Sequence, residues 1–246
     1  MLYIILFFVL HWFASVFFQT TFLHRYASHK MFTTGKFREK ILHFMTWLSQ
    51  GSSYLVPRAY AVMHRMHHDF SDTEKDPHSP HFFRDVFTMM VNTKNIYTGF
   101  VSGKLTAASK YCHDLPVWEK FESFAGSYIT RFAWGGFYVA FYLFVIIKCD
   151  LSFLWLLLLP IHFLMGPIHG AIVNWCGHKY GYSNYDNKDK SKNTEPLGIL
   201  LMGELFQNNH HKFPTSPNFA KKWFEFDPTY LILRVMNFFG IISLVK

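Results

Sequence analysis

The stretch MHRMHHD, residues 63–69, places three imidazoles at His64, His67 and His68. On a helix of 3.6 residues per turn these side chains fall within roughly 100° of arc, so all three lie on one face. A face with three neutral nitrogen donors provides half of a metal site. Because His67 and His68 are adjacent, they point about 100° apart, and one helix can supply ligands to two metal ions.

Three further segments carry short clusters of possible ligands. They are HRYASH with His24 and His29, NWCGH with Asn174 and His178, and QNNHH with Gln207, His210 and His211. His24 and His29 lie about 140° apart around an α-helix, so we expect them to straddle a pair of ions. Eight imidazoles are more ligands than one ion can bind, so the clusters predict a site with two metal ions. Imidazole suits zinc, copper, iron and nickel alike, and a structural zinc is disfavoured because such sites close with four ligands and are usually rich in cysteine.

The apolar residues are gathered into three uncharged blocks, residues 2–23, 132–147 and 151–177. A helix needs about 20 residues to cross a bilayer, and the blocks reach or approach that length. We therefore predict an all-α integral membrane protein, a single domain of residues 1–246, with three transmembrane helices at 2–23, 132–147 and 151–175. A straight third helix continued to His178 would project from the membrane and bring Asn174 and His178 level with the other clusters.

The remaining segments, residues 24–131 and 177–246, are predicted to be cytoplasmic or interfacial and to form a helical cap around the histidines. Residues 37–50 are assigned to the interface because only 34 residues separate His29 from His64, whereas two crossings need about 40. The apolar tail, residues 227–245, is assigned there too. Pro57 is expected to open the helix of the His64 cluster, and Pro196 one that ends with His210 and His211.

The charge distribution indicates which side of the membrane the cap faces. Of 24 Lys and Arg residues, 14 lie between His24 and Arg131 and 9 after Gly177, leaving only Lys148 between the second and third blocks. This asymmetry predicts a cytoplasmic cap and favours anionic headgroups, a phosphate-bearing substrate or an acidic partner over nucleic acid. The first block is longer than the apolar core of a signal peptide, about 7–15 residues, so we expect an anchor with the N-terminus outside.

Three cysteines, Cys112, Cys149 and Cys176, form neither a CxxC pair nor an even set, so no disulfide framework is implied and we expect them to be buried apolar residues. His162 and His169 lie inside the third block and are interpreted as polar residues of the bundle interior. The lysines of the following loop could bind substrate phosphates, but we interpret them as a solvated charge run. They are Lys179, Lys188, Lys190 and Lys192.

Four segments resemble the membrane-bound fatty acyl desaturases of the stearoyl-CoA desaturase type, in the same order and at similar separations: HRYASH, HRMHHDFSDTEKDPHSP, NWCGHKYGYSNYD and GELFQNNHHKFP. The resemblance, to a short bacterial-type member in the inner membrane, implies a di-iron centre that uses O2 and two electrons to insert a cis double bond into a saturated acyl chain. It assigns iron ligands to His24, His29, His64, His67, His68, His178, His210 and His211, and a water-mediated contact to Asn174.

Two further questions concern the role of Gln207 and the acceptors that bond the metal-binding imidazoles. The family usually has a histidine where Gln207 stands, so Gln207 is predicted to make at most an amide-oxygen or water-mediated contact. Metal-bound imidazoles also need acceptors for their second ring nitrogen. The nearest candidates in the sequence are Asp69, Asp72, Glu74, Asp76 and Glu204.

Two other functions fit the same clusters. A di-iron lipid hydroxylase would have similar ligands and differ in its product, whereas a membrane metal-binding or transport protein would be expected to place histidines along the spans. The sequence contains neither a haem-binding His-Pro-Gly-Gly segment nor CxxC. A desaturase would therefore need a separate ferredoxin- or cytochrome-like electron donor with its reductase, and its substrate would be a fatty acyl thioester or lipid.

Overall fold

The computed structural model describes residues 1–195 and 198–245. Helices, joined by turns and loops, make up most of this part of the chain, and its one sheet is short and antiparallel. The helices are α1 (Leu2–Phe18), α2 (Lys36–Gln50), α3 (Pro57–Phe70), α4 (Val86–Val101), α5 (Glu119–Ala125), α6 (Tyr128–Lys148), α7 (Leu159–Phe163), α8 (Met165–Lys179), α9 (Gln207–Lys212) and α10 (Pro228–Phe238). The strands are β1 (Phe32–Thr33) and β2 (Ser243–Leu244), paired with Phe32 opposite Leu244.

The first apolar block forms one helix that carries the first histidine cluster, as predicted. α1 continues without a break into a π-helical segment, Gln19–Ser28, and together they form a helix of 27 residues that is long and apolar enough to cross a membrane. α6 is the second helix long and apolar enough to cross a membrane. These two helices, or three if the bent pair α7 and α8 counts as one span, fit an all-α membrane protein.

The third apolar block is not the straight helix that the sequence analysis expects. A 3-10 segment, Phe153–Leu158, leads into α7, and the helical axis then turns by 69° before α8 begins. Pro167 has no N–H to donate to the Phe163 carbonyl one turn earlier, and the Ser52 hydroxyl donates to that carbonyl instead (3.3 Å). The Gly166 N–H donates to Ser53 Oγ (3.0 Å). Contacts with a distant segment therefore replace the helical hydrogen bonds at the bend.

A second departure concerns the helix predicted to begin at Pro196. Pro196 lies outside the described residues, but Gly198 to Phe206 forms turns and only α9 is helical. The backbone has positive φ at Gly198, Met202 and Gly203 (60°, 53° and 92°), which an α-helix does not permit. A side chain at Gly203 would also lie 2.5 Å from the Asp227 carboxylate. The turns place Glu204, rather than a helix face, against the first histidine cluster.

The Arg65 side chain helps to join two histidine-bearing elements, α3 and the π-helical segment. The Arg65 guanidinium on α3 donates to the carbonyls of Ala27 (3.0 Å) and Ser28 (2.9 Å) at the end of the π-helical segment. It also donates to the Tyr111 carbonyl (2.9 Å), in the connection between α4 and α5. Carbonyl groups that a helix end leaves unpaired are thereby satisfied, and α3 is fixed beside His24 and His29.

The expectation that all three cysteines are buried is wrong. Cys112 and Cys149 are exposed and Cys176 is partly buried. Cys112 follows a 3-10 turn and Cys149 follows the end of α6, so both lie in connections that run over the surface. Only Cys176, inside α8, packs with apolar neighbours, including Val16 and Leu205.

Candidate metal centre

Five histidines from three parts of the chain converge in a first group. Their ring nitrogens, one from each, all lie within 4.8 Å of one another: His24, His29, His64, His68 and His210. The Nε2–Nε2 distances are 2.7 Å for His29–His64, 3.0 Å for His64–His68, 2.9 Å for His68–His210 and 3.0 Å for His24–His210. Two nitrogens bound at right angles to one ion, each at about 2.1 Å, would be about 3.0 Å apart, so the group fits the first coordination sphere of a metal.

The π-helical backbone explains why His24 and His29 are in the same group. The His29 N–H donates to the His24 carbonyl (3.3 Å), which is the i→i+5 hydrogen bond of a π-turn. Five residues then make a little more than one turn, so the two side chains lie nearly above one another. The expectation that they straddle two ions, which assumed α-helical geometry, is wrong.

A second group contains His67, His178 and His211, whose ligand nitrogens also lie within 4.8 Å of one another. Each Nε2 is buried, and none of the three has a hydrogen-bond partner in the part of the chain that the structure describes. A buried polar atom left unpaired costs about 1–3 kcal/mol. Three such atoms that converge on one point are explained by an ion that they bind together.

Each histidine of the second group is oriented by a carboxylate. Because a carboxylate only accepts, Nδ1 carries the proton in every pair and Nε2 keeps its lone pair for a metal. The pairs are His67–Asp76 (2.9 Å), His178–Asp72 (2.9 Å) and His211–Asp189 (2.6 Å). In the first group His24 Nδ1 bonds Glu204 in the same way (2.5 Å).

Burial, neighbouring imidazoles and bonded carboxylates set the protonation of both histidine groups. Burial, with neighbouring imidazoles, lowers the pKa of His64, His68 and His210 well below the usual range. Burial also lowers the pKa of His211 to about 4. These rings are neutral at physiological pH, the form that binds metal. For His67 burial lowers the pKa, but the Asp76 carboxylate outweighs it and the net shift is upward.

A cavity of about 910 Å³ reaches the first histidine group from the apolar part of the fold. Its volume is near the upper end of small-molecule sites, about 300–1,000 Å³. The polar residues that line it include His24, His64, His78, His169, Asn174, Glu204 and Gln207, and the apolar and aromatic ones include Val16, Tyr54, Tyr60, Met63, Phe163, Leu164, Val173 and Leu201. A long apolar ligand in this cavity would lie beside His24 and His64.

The comparison with protein families decides what kind of protein carries this centre. The family model described as "Fatty acid desaturase" matches residues 1–234. The chain belongs to the fatty acid desaturase family. The resemblance predicted from the four histidine-containing segments is therefore confirmed. The family is metal-dependent, and both histidine groups of this family member could bind metal.

Curated proteins of similar sequence align with most of the chain. An sn-1 stearoyl-lipid 9-desaturase of Anabaena variabilis is 27% identical over 97% of this chain and 82% of its own length. An acyl-CoA 5-desaturase of Anemone leveillei is 25% identical over 94% and 68%. A hex-5-enoyl-[acyl-carrier protein] acetylenase of Moorena producens is 24% identical over 96% and 74%. The names of these relatives include three different acyl carriers.

Two of the acceptors predicted from sequence lie away from the centre of this family member. Asp69 accepts from the Tyr111 hydroxyl (2.9 Å) and pairs with Lys110. It follows His68 directly, so its side chain leaves α3 about 100° away from that histidine. Glu74 is exposed, in the turn after α3. Asp72, Asp76 and Glu204 make the histidine contacts given above.

Asn174 and Gln207 both line the cavity, as do His24 and His64 of the first histidine group. The Gln207 amide nitrogen donates to the Glu204 backbone carbonyl (2.6 Å). That bond leaves the amide oxygen as the atom of Gln207 that can reach a metal or a water. The contacts predicted for Asn174 and Gln207 stay predictions.

Two residues of the site were missed in the sequence. Asp189 lies in the lysine-rich loop, and nothing in its local pattern distinguishes it from a solvated acid. His78 follows Asp76 and Pro77, and its ring centroid is 4.5 Å from that of His67. Both His78 ring nitrogens are buried without a partner among the described residues, and with His67 and Asp76 they form a third possible ligand group. The available signal was the Asp-Pro-His segment, residues 76–78, whose Asp76 follows His67 by nine residues.

Replacing Asp76 by asparagine is expected to lower metal affinity by about 10–100-fold, because the His67 ring loses the carboxylate that fixes its orientation and basicity. The affinity can be measured by competition with a chelator, with the bound metal counted by mass spectrometry. Asp69→Asn is the matched control, since the Asp69 carboxylate bonds Lys110 and Tyr111 and no histidine among the described residues. Equal metal affinities for the two variants would contradict the assigned role of Asp76.

Proposed function

We propose that the chain is a fatty acyl desaturase that holds two iron ions in its two histidine groups and inserts a cis double bond into a saturated acyl chain, with O2 and two electrons. The observation that carries the proposal is the division of α3 between the groups, with His64 and His68 in one and His67 in the other. A single helix face thereby supports a pair of adjacent sites, as the dinuclear prediction requires.

The donor set and the reaction together favour iron. All eight predicted ligands are imidazoles, which bind several transition metals. Zinc does not change oxidation state, so it cannot take electrons from an unactivated C–H bond. When bound, a pair of redox-active ions supplies the oxidising power that no side chain of this protein has. The desaturase resemblance implies that these ions are iron.

The protein's own residues position the substrate and the ligands. The acyl chain occupies the cavity with its reacting carbons beside His24 and His64, and apolar side chains such as Val16 and Leu201 keep water from the chain. Asp72, Asp76, Asp189 and Glu204 hold the imidazoles in fixed orientations, so the geometry of the centre is set before the substrate binds.

The reaction balances with an external reductant. Two C–H bonds break and one C=C bond forms, while the two hydrogens, two further electrons and two protons reduce O2 to two molecules of water. The electrons come from a separate ferredoxin- or cytochrome-like donor. The substrate is a saturated chain carried as a thioester or lipid, and the active site faces the cytoplasm, in a bacterium at the inner membrane. The excess of Lys and Arg outside the spans supports that orientation.

The function is tested by the fatty-acid profile of an unsaturation-deficient host that expresses the chain, measured by gas chromatography with mass spectrometry. We expect a new monounsaturated acid with wild type and none with His67→Ala, whose loss removes a ligand of the second group. A hydroxy acid in place of the alkene would establish the hydroxylase alternative. No new acid with any of several supplied electron donors would favour a non-enzymatic metal-binding protein.

A further inference from the structure

The loop between α8 and α9 lies directly on the second histidine group. Asp189 in this loop accepts from His211 Nδ1 (2.6 Å), and the neighbouring Lys190 N–H donates to Asp72 (2.8 Å), the carboxylate that orients His178. Residue 189 therefore contacts one of the three histidines directly, and residue 190 contacts the carboxylate that orients a second. In the proposed reaction only Asp189 of this loop has a role, which is to orient His211, and the outward side of the loop has none.

The loop is held in a fixed conformation by Asn208 at the start of α9. Asn208 Oδ1 accepts from the backbone N–H groups of Asn184 (2.8 Å) and Tyr185 (2.9 Å), and its Nδ2 donates to the Tyr185 carbonyl (2.9 Å) and the Ser191 carbonyl (3.2 Å). A loop tied at both ends to the helix that bears His210 and His211 presents its outward side chains in a constant arrangement.

The outward side chains of the loop are basic. Lys188 and Lys190 are exposed and Lys192 is half-buried. Two acidic residues, Asp186 and Asp189, lie on the same segment, so residues 183–193 carry a formal charge of +1. Asp189 is largely buried against His211, so the exposed charges of the loop are those of its lysines and Asp186.

We propose that this basic loop, residues 183–193, is the docking surface for a small acidic electron-carrier protein. The proposal rests on the proposed function, which requires such a carrier. The Asp189 side chain is 12% exposed and one hydrogen bond from His211, so it links the surface to the second histidine group. At each docking the carrier gives up one electron to the metal centre, and two dockings supply the two electrons that balance the reaction.

A protein fits this surface better than a lipid bilayer does. Between Ser183 and Asn193 the only apolar side chain is Tyr185, and its ring packs edge-on against Phe213 (5.2 Å between centroids). A segment that enters a bilayer interface usually carries exposed aromatic or aliphatic side chains beside its lysines. Complementary charge on a soluble carrier would instead steer its encounter with the loop and set its orientation.

The test compares the double variant Lys188→Glu/Lys190→Glu with Lys104→Glu/Lys120→Glu. The control makes the same charge change at two exposed residues, Lys104 between α4 and α5 and Lys120 in α5. The probes are an acidic [2Fe–2S] ferredoxin and the soluble haem domain of an acidic cytochrome b5. For each metal-loaded protein in detergent, Kd is measured at two salt concentrations. For at least one carrier we expect saturable binding to wild type, about tenfold weaker binding to the loop variant with a smaller salt dependence, and little change for the control.

Three results would overturn the proposal: no saturable binding of either carrier to wild type, equal weakening by both double variants, or a charge reversal that affects only binding to phosphatidylglycerol vesicles. Product formation with a small-molecule reductant separates this question from the proposed function. If the loop variant forms the alkene with that reductant but not with the carrier, docking alone is lost. If even wild type forms no alkene with any donor, the proposed function fails, and the binding data still decide whether the loop docks the carrier.

Discussion

Replacing His67 by alanine is expected to reduce product formation at least about a hundredfold and to remove one of two bound metal ions, with the other retained. His67 is the α3 ligand of the second group, in which only His178 and His211 would remain. The first group would keep its five imidazoles, since none of them depends on the His67 ring for a hydrogen bond. Metal per chain and product yield can be measured on the same purified sample.

The control for this prediction is His113→Ala, which removes an exposed histidine from the connection between α4 and α5. It should retain full metal content and activity. If the His67 variant loses both ions together, the two groups are not independent sites. If it keeps both ions and forms product, His67 is not a ligand and the assignment of the second group is wrong.

The second large effect is expected on stability, from a buried charge network behind the first group. Glu204 accepts from Arg25 (3.1 Å), from His24 Nδ1 (2.5 Å) and from the Thr20 hydroxyl. Arg25 is completely buried and also bonds Asp227 (2.7 Å). Burial raises the pKa of Glu204, but His24 and Arg25 outweigh it, and the net pKa is lowered, so the carboxylate is charged in the folded protein.

Replacing Glu204 by alanine should therefore destabilise the fold by about 3–5 kcal/mol, because Arg25 keeps its buried charge and loses one of its two carboxylates. For a chain of this size that loss corresponds to a fall in Tm of roughly 6–20 °C. Thermal unfolding in detergent measures it, and Glu204→Gln, which keeps the shape and loses the charge, should fall between. Glu74→Ala removes an exposed carboxylate and should melt with wild type. A Glu204→Ala variant that also melts with wild type would contradict the network's role.

Much of the histidine arrangement follows from the sequence alone. Uncharged length predicts the helix that runs from Leu2 into the first cluster, and the i, i+3, i+4 spacing predicts that α3 serves two groups. Both depend on local properties of one segment, hydrophobic length and helical periodicity. The same holds for Asp76, which bonds His67 from the turn that follows α3.

The features missed by sequence depend on distant contacts. The π-helical segment around His24 has no distinct local pattern, and its carbonyls are satisfied by Arg65, about 40 residues later in the chain. The bend before α8 needs the hydroxyls of Ser52 and Ser53. Asp189 becomes a histidine partner through a loop that Asn208 ties to α9 and that Lys190 joins to Asp72. Sequence spacing carries no information about such long-range pairs.

The most direct test of the central claim is the metal content of the purified wild-type protein, with a Mössbauer spectrum after loading with iron-57. We predict about two iron ions per chain and two distinguishable iron environments of equal intensity, because the first group offers five imidazoles and the second only three. One iron per chain, or full desaturase activity with zinc in place of iron, would contradict the account.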